Sequence, residues 1–189
     1  MKVLVFSDIT GQMKEIIESN NLVEIKPDLI LLLGDIHKRA LYAIEHFFPN
    51  VKKIGVLGNH DSQQAFNDTS IESIHQRKIE YNGYTIAGFN GVPLYTDSTK
   101  TYAQYSEQEL ETFLNSIGTV DIFLAHANPQ WKKPDDELDL QRGFQAYSNY
   151  LLRDHPKLFL YGHTHTPLYY NIQDTTIINV FGYQVLTIK

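Results

Sequence analysis

Metal-binding residue types occur together at several points in this 189-residue sequence. The clearest groups are Gly58-Asn59-His60-Asp61 and Gly162-His163-Thr164-His165, and each directly follows an apolar segment. Carboxylate, amide and imidazole groups suit divalent metal ions, and a sequence without cysteine has no thiolate ligand and no cysteine nucleophile. The sequence therefore predicts a metal site built from nitrogen and oxygen ligands.

Five apolar segments each end at a polar residue that could bind a metal ion. These residues are Asp8, Asp35, Asn59, His126 and His163. In open α/β sheets, ligands bind outside the carboxyl ends of the strands. We therefore expect the five segments to converge at one edge of one sheet. Asp35 is the best candidate to bridge two metal ions about 3.5–4 Å apart.

The elements that would position these residues alternate between strand and helix, which predicts an α/β layered fold. The predicted strands are 2–7, 29–33, 51–57, 79–81, 84–89, 120–125, 158–161, 168–172, 176–180 and 183–188. We predict helices at 13–19, 38–48 and 144–153, and a capping box of Ser106 and Glu109 begins one that ends near Ile117. Asn82-Gly83 predicts a tight hairpin, and the last three strands a short antiparallel meander.

Two segments carry no clear periodicity. Residues 90–105 are predicted to be a long surface loop, and residues 131–143 a polar, irregular segment. With no linker or internal repeat, the chain is expected to form one domain over residues 1–189.

Composition narrows the function classes. The sequence has 22 acidic and 16 basic residues, and the net charge of −6 argues against a protein that coats long nucleic acid. The longest apolar run, residues 29–33, is too short to cross a membrane, and no secretory signal is visible. We expect a cytoplasmic protein without a membrane partner.

The motifs, taken in order, resemble a known signature. Gly34-Asp35, Gly58-Asn59-His60-Asp61, His126 and Gly162-His163-Thr164-His165 are similar to the motifs of the calcineurin-like metallophosphoesterases. The resemblance implies a four-layer αββα sandwich of two mixed sheets flanked by helices. It also implies hydrolysis of a phosphate ester by a metal-activated hydroxide.

The resemblance further implies a role for each matching residue. Asp8, Asp35 and His165 would bind a first metal ion. The second would be bound by Asp35, Asn59, His126 and His163. Asn59 and His60 would contact the substrate, with His60 assisting departure of the leaving group. Asp61 would orient the His60 ring.

Thr10 departs from the family pattern, which has a metal-binding histidine at this position. The first site then keeps three candidate ligands and the second keeps four. We expect the second site to be tighter, and the first to be weak, water-rich or empty. One or two divalent ions would be the cofactors, with Mn²⁺ first and Fe, Zn²⁺, Mg²⁺ or Ni²⁺ as alternatives.

The other candidates carry weaker signals. His37, two residues after Asp35, could line the site, and Arg142 could pair with a phosphate, although a surface salt bridge is the simpler expectation. Trp131 would either pack on the core or overhang the substrate. His46 and His75 are predicted to lie on the surface, and His155 to end a helix.

Two functions of different classes follow from these observations. The first is a metal-dependent phosphoesterase, leaning toward diesters, that acts on a small organic phosphate or nucleotide-like substrate, with monoesters as the alternative. The second is a degenerate member of the same fold that serves as a protein-binding scaffold, motivated by Thr10. Exposed strands near the carboxyl terminus leave a homodimer open.

Overall fold

A computed structural model of the protein describes residues 1–94, 103–131 and 141–189. Its strands are β1 (Lys2–Ser7), β2 (Leu29–Leu32), β3 (Lys52–Gly55), β4 (Glu72–Ser73), β5 (Arg77–Tyr81), β6 (Tyr84–Phe89), β7 (Val92–Pro93), β8 (Gln104–Tyr105), β9 (Ile122–Ala125), β10 (Leu158–Tyr161), β11 (Leu168–Ile172), β12 (Thr175–Asn179) and β13 (Gly182–Thr187). Its α-helices are α1 (Met13–Ser19), α2 (Lys38–Phe47), α3 (Glu107–Ile117) and α4 (Gln145–Asp154). A 3₁₀ helix spans Leu22–Ile25.

The strands form two large mixed sheets. Sheet A has the order β13-β1-β2-β3-β4, and only β13 runs antiparallel to its neighbour. Sheet B has the order β11-β12-β10-β9-β6-β5, with parallel central strands and antiparallel edge strands. Strands β7 and β8 form a separate parallel pair. The parallel strands carry their connecting residues to the same end of each sheet.

Three apolar cores, which lie between the layers of helices and sheets, explain why the strands do not alternate between apolar and polar residues. In β1, Val3 and Val5 face the core that also contains residues of sheet B, whereas Leu4 and Phe6 pack with residues of α1 and α2. A third core joins sheet B to α3 and α4 through residues such as Phe123. Both faces of each sheet are therefore covered, and the predicted four-layer α/β sandwich is confirmed.

Local sequence signals account for several element boundaries. Asn82 and Gly83 both have positive φ, as a tight hairpin between β5 and β6 requires. The Ser106 hydroxyl accepts from the Glu109 backbone N–H, and the Glu109 carboxylate accepts from the Ser106 backbone N–H, which completes the predicted capping box of α3. The αL residue His155 ends α4 as expected.

Two predictions of connectivity are wrong. The last three strands do not form one meander, because β11 and β12 pair in sheet B whereas β13 pairs with β1 in sheet A. The described ends of the predicted surface loop 90–105 are largely buried and paired, since β7 and β8 lie there and Val92 is fully buried. A single sequence cannot reveal that β13 pairs with β1, because β1 lies at the other end of the chain. Most of the segment predicted to be irregular, residues 132–140, lies outside the described residues.

No helix in the described part of the chain is long and apolar enough to span a membrane.

Candidate metal centre

The predicted ligands come from both sheets rather than from one. Asp8, Asp35 and Asn59 follow β1, β2 and β3 of sheet A, while His126 and His163 follow β9 and β10 of sheet B. The expectation that all five segments would converge on one sheet is therefore wrong. Their convergence at one end of the molecule is correct, because the strands of both sheets bring their carboxyl ends together there.

All six predicted ligands lie in one cluster. Ligand atoms of Asp8, Asp35 and His126 are within 4.8 Å of one another. Asn59 Oδ1 is 3.0 Å from His126 Nε2, and His165 Nε2 is 3.3 Å from Asp8 Oδ1. The His163 ring lies beside the His126 ring, with 5.1 Å between ring centroids.

His126 has its orientation fixed by the backbone. The ring is fully buried, and its Nδ1 lies 2.8 Å from the carbonyl oxygen of Leu33, which can only accept a hydrogen bond. Nδ1 therefore carries a proton, and in the neutral ring the Nε2 lone pair points toward oxygens of Asp35 (3.3 Å) and Asn59 (3.0 Å). Three lone-pair donors then face one point, which a divalent cation would satisfy.

Asp35 and His126 shift each other's pKa in the metal-free protein. Burial opposes ionisation of Asp35, but the hydrogen bond and charge of His126, with the His60 backbone N–H, hold the pKa of Asp35 below its ordinary value. Burial likewise works to lower the pKa of His126, but the hydrogen bond and charge of Asp35 raise it above its ordinary value. The carboxylate thus stays ionised and attracts a positive charge to the position between the two groups.

Asp8 supplies the second indication that the residues fit a metal ion. Its Oδ2 accepts hydrogen bonds from the Ser7 hydroxyl (2.6 Å) and from the His163 backbone N–H (3.0 Å). Its Oδ1 is buried and has no hydrogen-bond partner, although His165 Nε2 is 3.3 Å away. Leaving a buried carboxylate oxygen unsatisfied is costly, so this oxygen is well placed to coordinate a cation.

The backbone is strained at the ligands. Asp8, Asp35, His163 and His165 all have φ between 53° and 69°, in the left-handed region that residues with a Cβ rarely adopt. Such conformations persist where the surrounding structure holds them, and they concentrate at functional sites. The strain turns these side chains out of the line of their strands and toward one another.

Gly162 explains how two sheets approach closely enough to share the site. A Cβ at this position would overlap with the Ser7 hydroxyl and with Asp8 Oδ2. Only glycine allows the end of β10 in sheet B to lie against the end of β1 in sheet A. The glycine before His163 is therefore part of the site and not merely a turn residue.

The Asp61 carboxylate is engaged by the backbone, and its role of orienting the His60 ring stays a prediction. Its buried carboxylate accepts from the backbone N–H groups of Asp35 (2.7 Å), Ile36 (3.1 Å) and Gly58 (2.8 Å). Burial raises the pKa of Asp61 to about 6, although the backbone hydrogen bonds counteract this rise. Asp61 thus connects the turns that carry Asp35 and Asn59, which fixes the spacing of these two candidate ligands.

His60 lies at the surface of a cleft of about 450 Å³ beside the cluster. The cleft is lined by Asp8, Thr10, Asp35, His37, His60, Asp61, His165 and Phe181. The His60 backbone N–H donates to Asp35 Oδ1 at 2.8 Å, which sets the position of the residue relative to the cluster. Thr10 is exposed in the same wall, where the family pattern has a histidine.

The weaker candidates separate into residues inside and outside the cleft. His37 lines the cleft as expected, and its Nδ1 also accepts from the Arg39 backbone N–H at the start of α2. Arg142 does not line the cleft, and its guanidinium donates to the carbonyl oxygen of Leu94. Trp131 is half-exposed and donates from Nε1 to the Tyr170 hydroxyl at 3.0 Å.

Of the remaining histidines, one prediction was wrong. His46 is exposed as expected. His75 is half-buried, contacts the rings of Phe89 and Tyr105, and accepts from the Asn90 backbone N–H. Burial lowers its pKa to about 4, so the ring is neutral near pH 7. Its polar sequence neighbours gave no sign of this aromatic environment.

Two residues of the site carry no sequence signal that we recognised. Ser7 belongs to the apolar β1 segment, yet its hydroxyl fixes Asp8. Phe181 comes from the turn before β13, is 45% exposed, and its ring lies 4.9 Å from that of His165. Ser7 is adjacent to Asp8, and its place in an apolar strand hides its role, whereas finding Phe181 requires knowing that β13 pairs beside β1, which is a long-range contact.

The cluster and the motif order agree with a comparison to known families. The sequence model of the calcineurin-like phosphoesterases matches residues 1–167. The chain belongs to this family. The family uses divalent metals, and phosphate ester hydrolysis is its general activity, with some members non-catalytic. The Asp8, Asp35 and His126 cluster is a possible metal site.

Solved structures share the fold at low sequence identity. The protein TT1561 of Thermus thermophilus is 17% identical, with a TM-score of 0.68, and the match covers 94% of this chain and 88% of that one. A phosphopantetheinyl hydrolase from Mycobacterium tuberculosis is 12% identical, with a TM-score of 0.61 and coverages of 95% and 89%. A dimetal phosphatase from Danio rerio is 13% identical, with a TM-score of 0.61 and coverages of 96% and 87%. No curated protein sequence matches the chain significantly.

Proposed function

We propose that this protein is a metal-dependent phosphodiesterase that acts on a small organic phosphate or a nucleotide-like substrate. The observation that carries the proposal is the convergence of Asp8, Asp35 and His126 within 4.8 Å at the base of an open cleft. A buried, unpaired carboxylate oxygen and a histidine with fixed tautomer are the donors that a divalent metal requires.

The residues divide into two half-sites. Asp35, Asn59, His126 and His163 would hold one ion, and Asp8, Asp35 and His165 the other, with Mn²⁺ as the proposed metal. Divalent ions, when bound, lower the pKa of a bound water molecule and neutralise negative charge on the phosphoryl group. Ser7 and the Leu33 carbonyl would keep Asp8 and His126 in the orientation that binding needs.

His60 is placed to act on the leaving group. Its side chain is exposed in the cleft, and its backbone N–H is bonded to Asp35, which keeps the residue beside the cluster. Proton donation to the departing oxygen is worth most when the leaving alcohol is a weak acid. We assign this role to His60.

The charge of the cleft favours a diester. Within the described chain, the residues that line the cleft include no Lys and no Arg. A phosphomonoester carries up to two negative charges near pH 7, and a diester carries one. Arg142, the one arginine considered for phosphate binding, is bonded to a backbone carbonyl elsewhere. A monoanionic substrate therefore needs less positive charge from the residues that line the cleft than a dianionic one.

The fold neighbours support hydrolysis in general terms. One is named a dimetal phosphatase and another a phosphopantetheinyl hydrolase, and both cover most of this chain. The experiment is an assay of bis(p-nitrophenyl) phosphate and p-nitrophenyl phosphate with Mn²⁺, Mg²⁺, Zn²⁺, Fe²⁺ and Ni²⁺. We expect a higher kcat/KM for the diester with Mn²⁺. Hydrolysis of neither substrate with any metal would favour the scaffold alternative.

The role of His60 has its own test. His60→Ala is expected to slow esters of alkyl alcohols by about 10²–10⁴-fold and p-nitrophenyl esters much less. His46→Ala, an exposed histidine on α2, is the matched control and should change neither rate. Equal losses on both ester classes would contradict the acid role and leave His60 with a positioning role.

A further inference from the structure

A second cavity of about 390 Å³ adjoins the metal cleft. The two cavities share His37, His60 and Asp61 in their walls, so His60 stands at their junction. Beyond the junction, the second cavity is lined mainly by the turn-rich segment 62–68 and by the start of α2. A volume of this size is in the range of small-molecule sites.

The two cavities differ in chemistry. The metal cleft ends at the exposed ring of Phe181, whereas the second cavity presents the side chains of Ser62, Gln64 and Asn67. A hydroxyl and two amides supply both donors and acceptors without net charge. The two charged residues of the second cavity outside the junction are Lys38 and Asp68, whose charges are opposite. The lining therefore suits a neutral, hydroxyl-bearing group better than a second anion.

Segment 62–68, which forms the polar wall of the second cavity, is fixed by contacts on the side that faces the protein. Phe66, in the middle of the segment, packs against the core under α1 and α2. At the end of the segment, Ser70 is bonded to Glu45, which also pairs with the fully buried Lys53 at 3.3 Å. Backbone hydrogen bonds from Ala65 to Ser62 and from Asn67 to Gln64 close its turns. The amide side chains thus project from an ordered backbone, which lowers the entropic cost of binding.

We infer that this second cavity binds the leaving alcohol of the substrate, and that this alcohol is a neutral polyol, such as a glycerol or sugar unit. The inference rests on the proposed function in one respect: the acid that protonates the leaving oxygen must stand on the leaving-group side, and His60 borders this cavity. The part of the substrate that stays on phosphorus would then extend toward Phe181. In the hydrolysis, the water oxygen bonds to phosphorus and gives up one proton to solvent, the P–O bond to the polyol breaks, and the polyol oxygen takes a proton from His60, which solvent then replaces.

The test compares two diesters that differ only in hydroxyl groups. Methyl glyceryl phosphate and methyl propyl phosphate carry the same charge and nearly the same chain, and their Kd values with Mn²⁺-loaded protein are measured by calorimetry. We expect the glyceryl ester to bind about 10-fold more tightly, from two hydroxyl hydrogen bonds. Gln64→Leu/Asn67→Leu should remove this preference. Gln63→Leu, an exposed neighbour outside the cavity lining, should keep it.

The outcomes separate this inference from the proposed function. Equal binding of the two esters by the unchanged protein, or a preference that survives in the double variant, would overturn the inference even if bis(p-nitrophenyl) phosphate is hydrolysed. A preference that the double variant loses would support the polyol cavity even if no ester is hydrolysed, in which case only the hydrolase proposal fails. Melting temperatures of the variants check that the segment remains folded.

Discussion

The two halves of the candidate metal centre differ in how firmly their candidate ligands are held. In the half built around His126, the ring is fully buried, Nδ1 is fixed by the Leu33 carbonyl, and both oxygens of Asp35 have neighbours. In the half built around Asp8 and His165, one carboxylate oxygen has no hydrogen-bond partner and the imidazole side chain is 60% exposed. The protein holds the first half in place, whereas in the second it holds Asp8 through Oδ2 and leaves the His165 side chain exposed.

This difference agrees with the position of Thr10. The missing histidine would belong to the Asp8 half, so the half with the fewest ligands is also the half with the least support from the protein. We therefore expect unequal metal affinities, with the His126 half binding more tightly.

The largest effect is expected for His126→Ala. It removes a ligand and leaves the Leu33 carbonyl buried without its donor, so we expect activity and metal affinity to fall by more than about 100-fold. His165→Ala removes a ligand from the exposed half and should cost less. Activity and metal titration of the two variants would decide the matter, and a greater loss for His165→Ala would reverse the ranking of the halves.

Thr10→His should strengthen the weaker half. A histidine at this position would add a nitrogen ligand beside Asp8, and we expect the bound metal at low micromolar supply to rise from about one to about two ions per chain. Elemental analysis after dialysis measures this ratio. Thr10→Val is the control for the loss of the hydroxyl. Two ions per chain in the unchanged protein would refute the asymmetry.

Much of the site could be predicted from sequence because the ligands are local to strand ends. All six candidate ligands closely follow strands whose apolar character is plain, so all six positions could be proposed: Asp8, Asp35, Asn59, His126, His163 and His165. Ser7 could not, because its place in an apolar strand does not mark its hydroxyl as the partner of Asp8. Phe181 and the backbone role of Asp61 could not either, because each depends on which distant segments meet. The same reason accounts for the error on β13, whose partner β1 lies at the other end of the chain.

Low pH should weaken metal binding in both halves of the site. His75 adds a separate effect, because its protonation lowers the stability of the folded protein. In the unfolded chain its pKa is about 6.5, and in the folded protein burial lowers the pKa to about 4, so the unfolded state takes up the proton first as pH falls. Stability is therefore lost between about pH 6.5 and 4. We expect about 1–2 kcal/mol, reduced from the full pKa difference because the ring is partly exposed.

His75→Gln should remove that part of the pH dependence. Urea unfolding of the metal-free protein at pH 7 and pH 4.5 measures it, with His46→Gln as the control for an exposed histidine. If His75→Gln and the unchanged protein lose equal stability over this range, the buried neutral ring is not its source.

The smallest effect is expected for Phe181→Leu. The change removes the ring that lies against His165 but keeps an apolar side chain, so we expect a loss of metal affinity of a few-fold, limited to the weaker half. Metal titration of the Thr10→His variant with and without Phe181→Leu measures this loss of affinity in the weaker half. A loss of equal size in the tighter half would show that Phe181 supports the whole centre.

The close contact at Gly162 has a consequence for folding as well as for binding. Sheet A supplies three of the candidate ligands and sheet B the others. A metal ion at this point would therefore join two layers that otherwise meet through an apolar core and a few hydrogen bonds, such as the one from the Leu57 backbone N–H to Asn90. Metal affinity is then linked to the free energy of docking one sheet on the other. Separation of the two sheets would release the ion before either sheet unfolds, and a bound ion would therefore stabilise the packing of one sheet on the other.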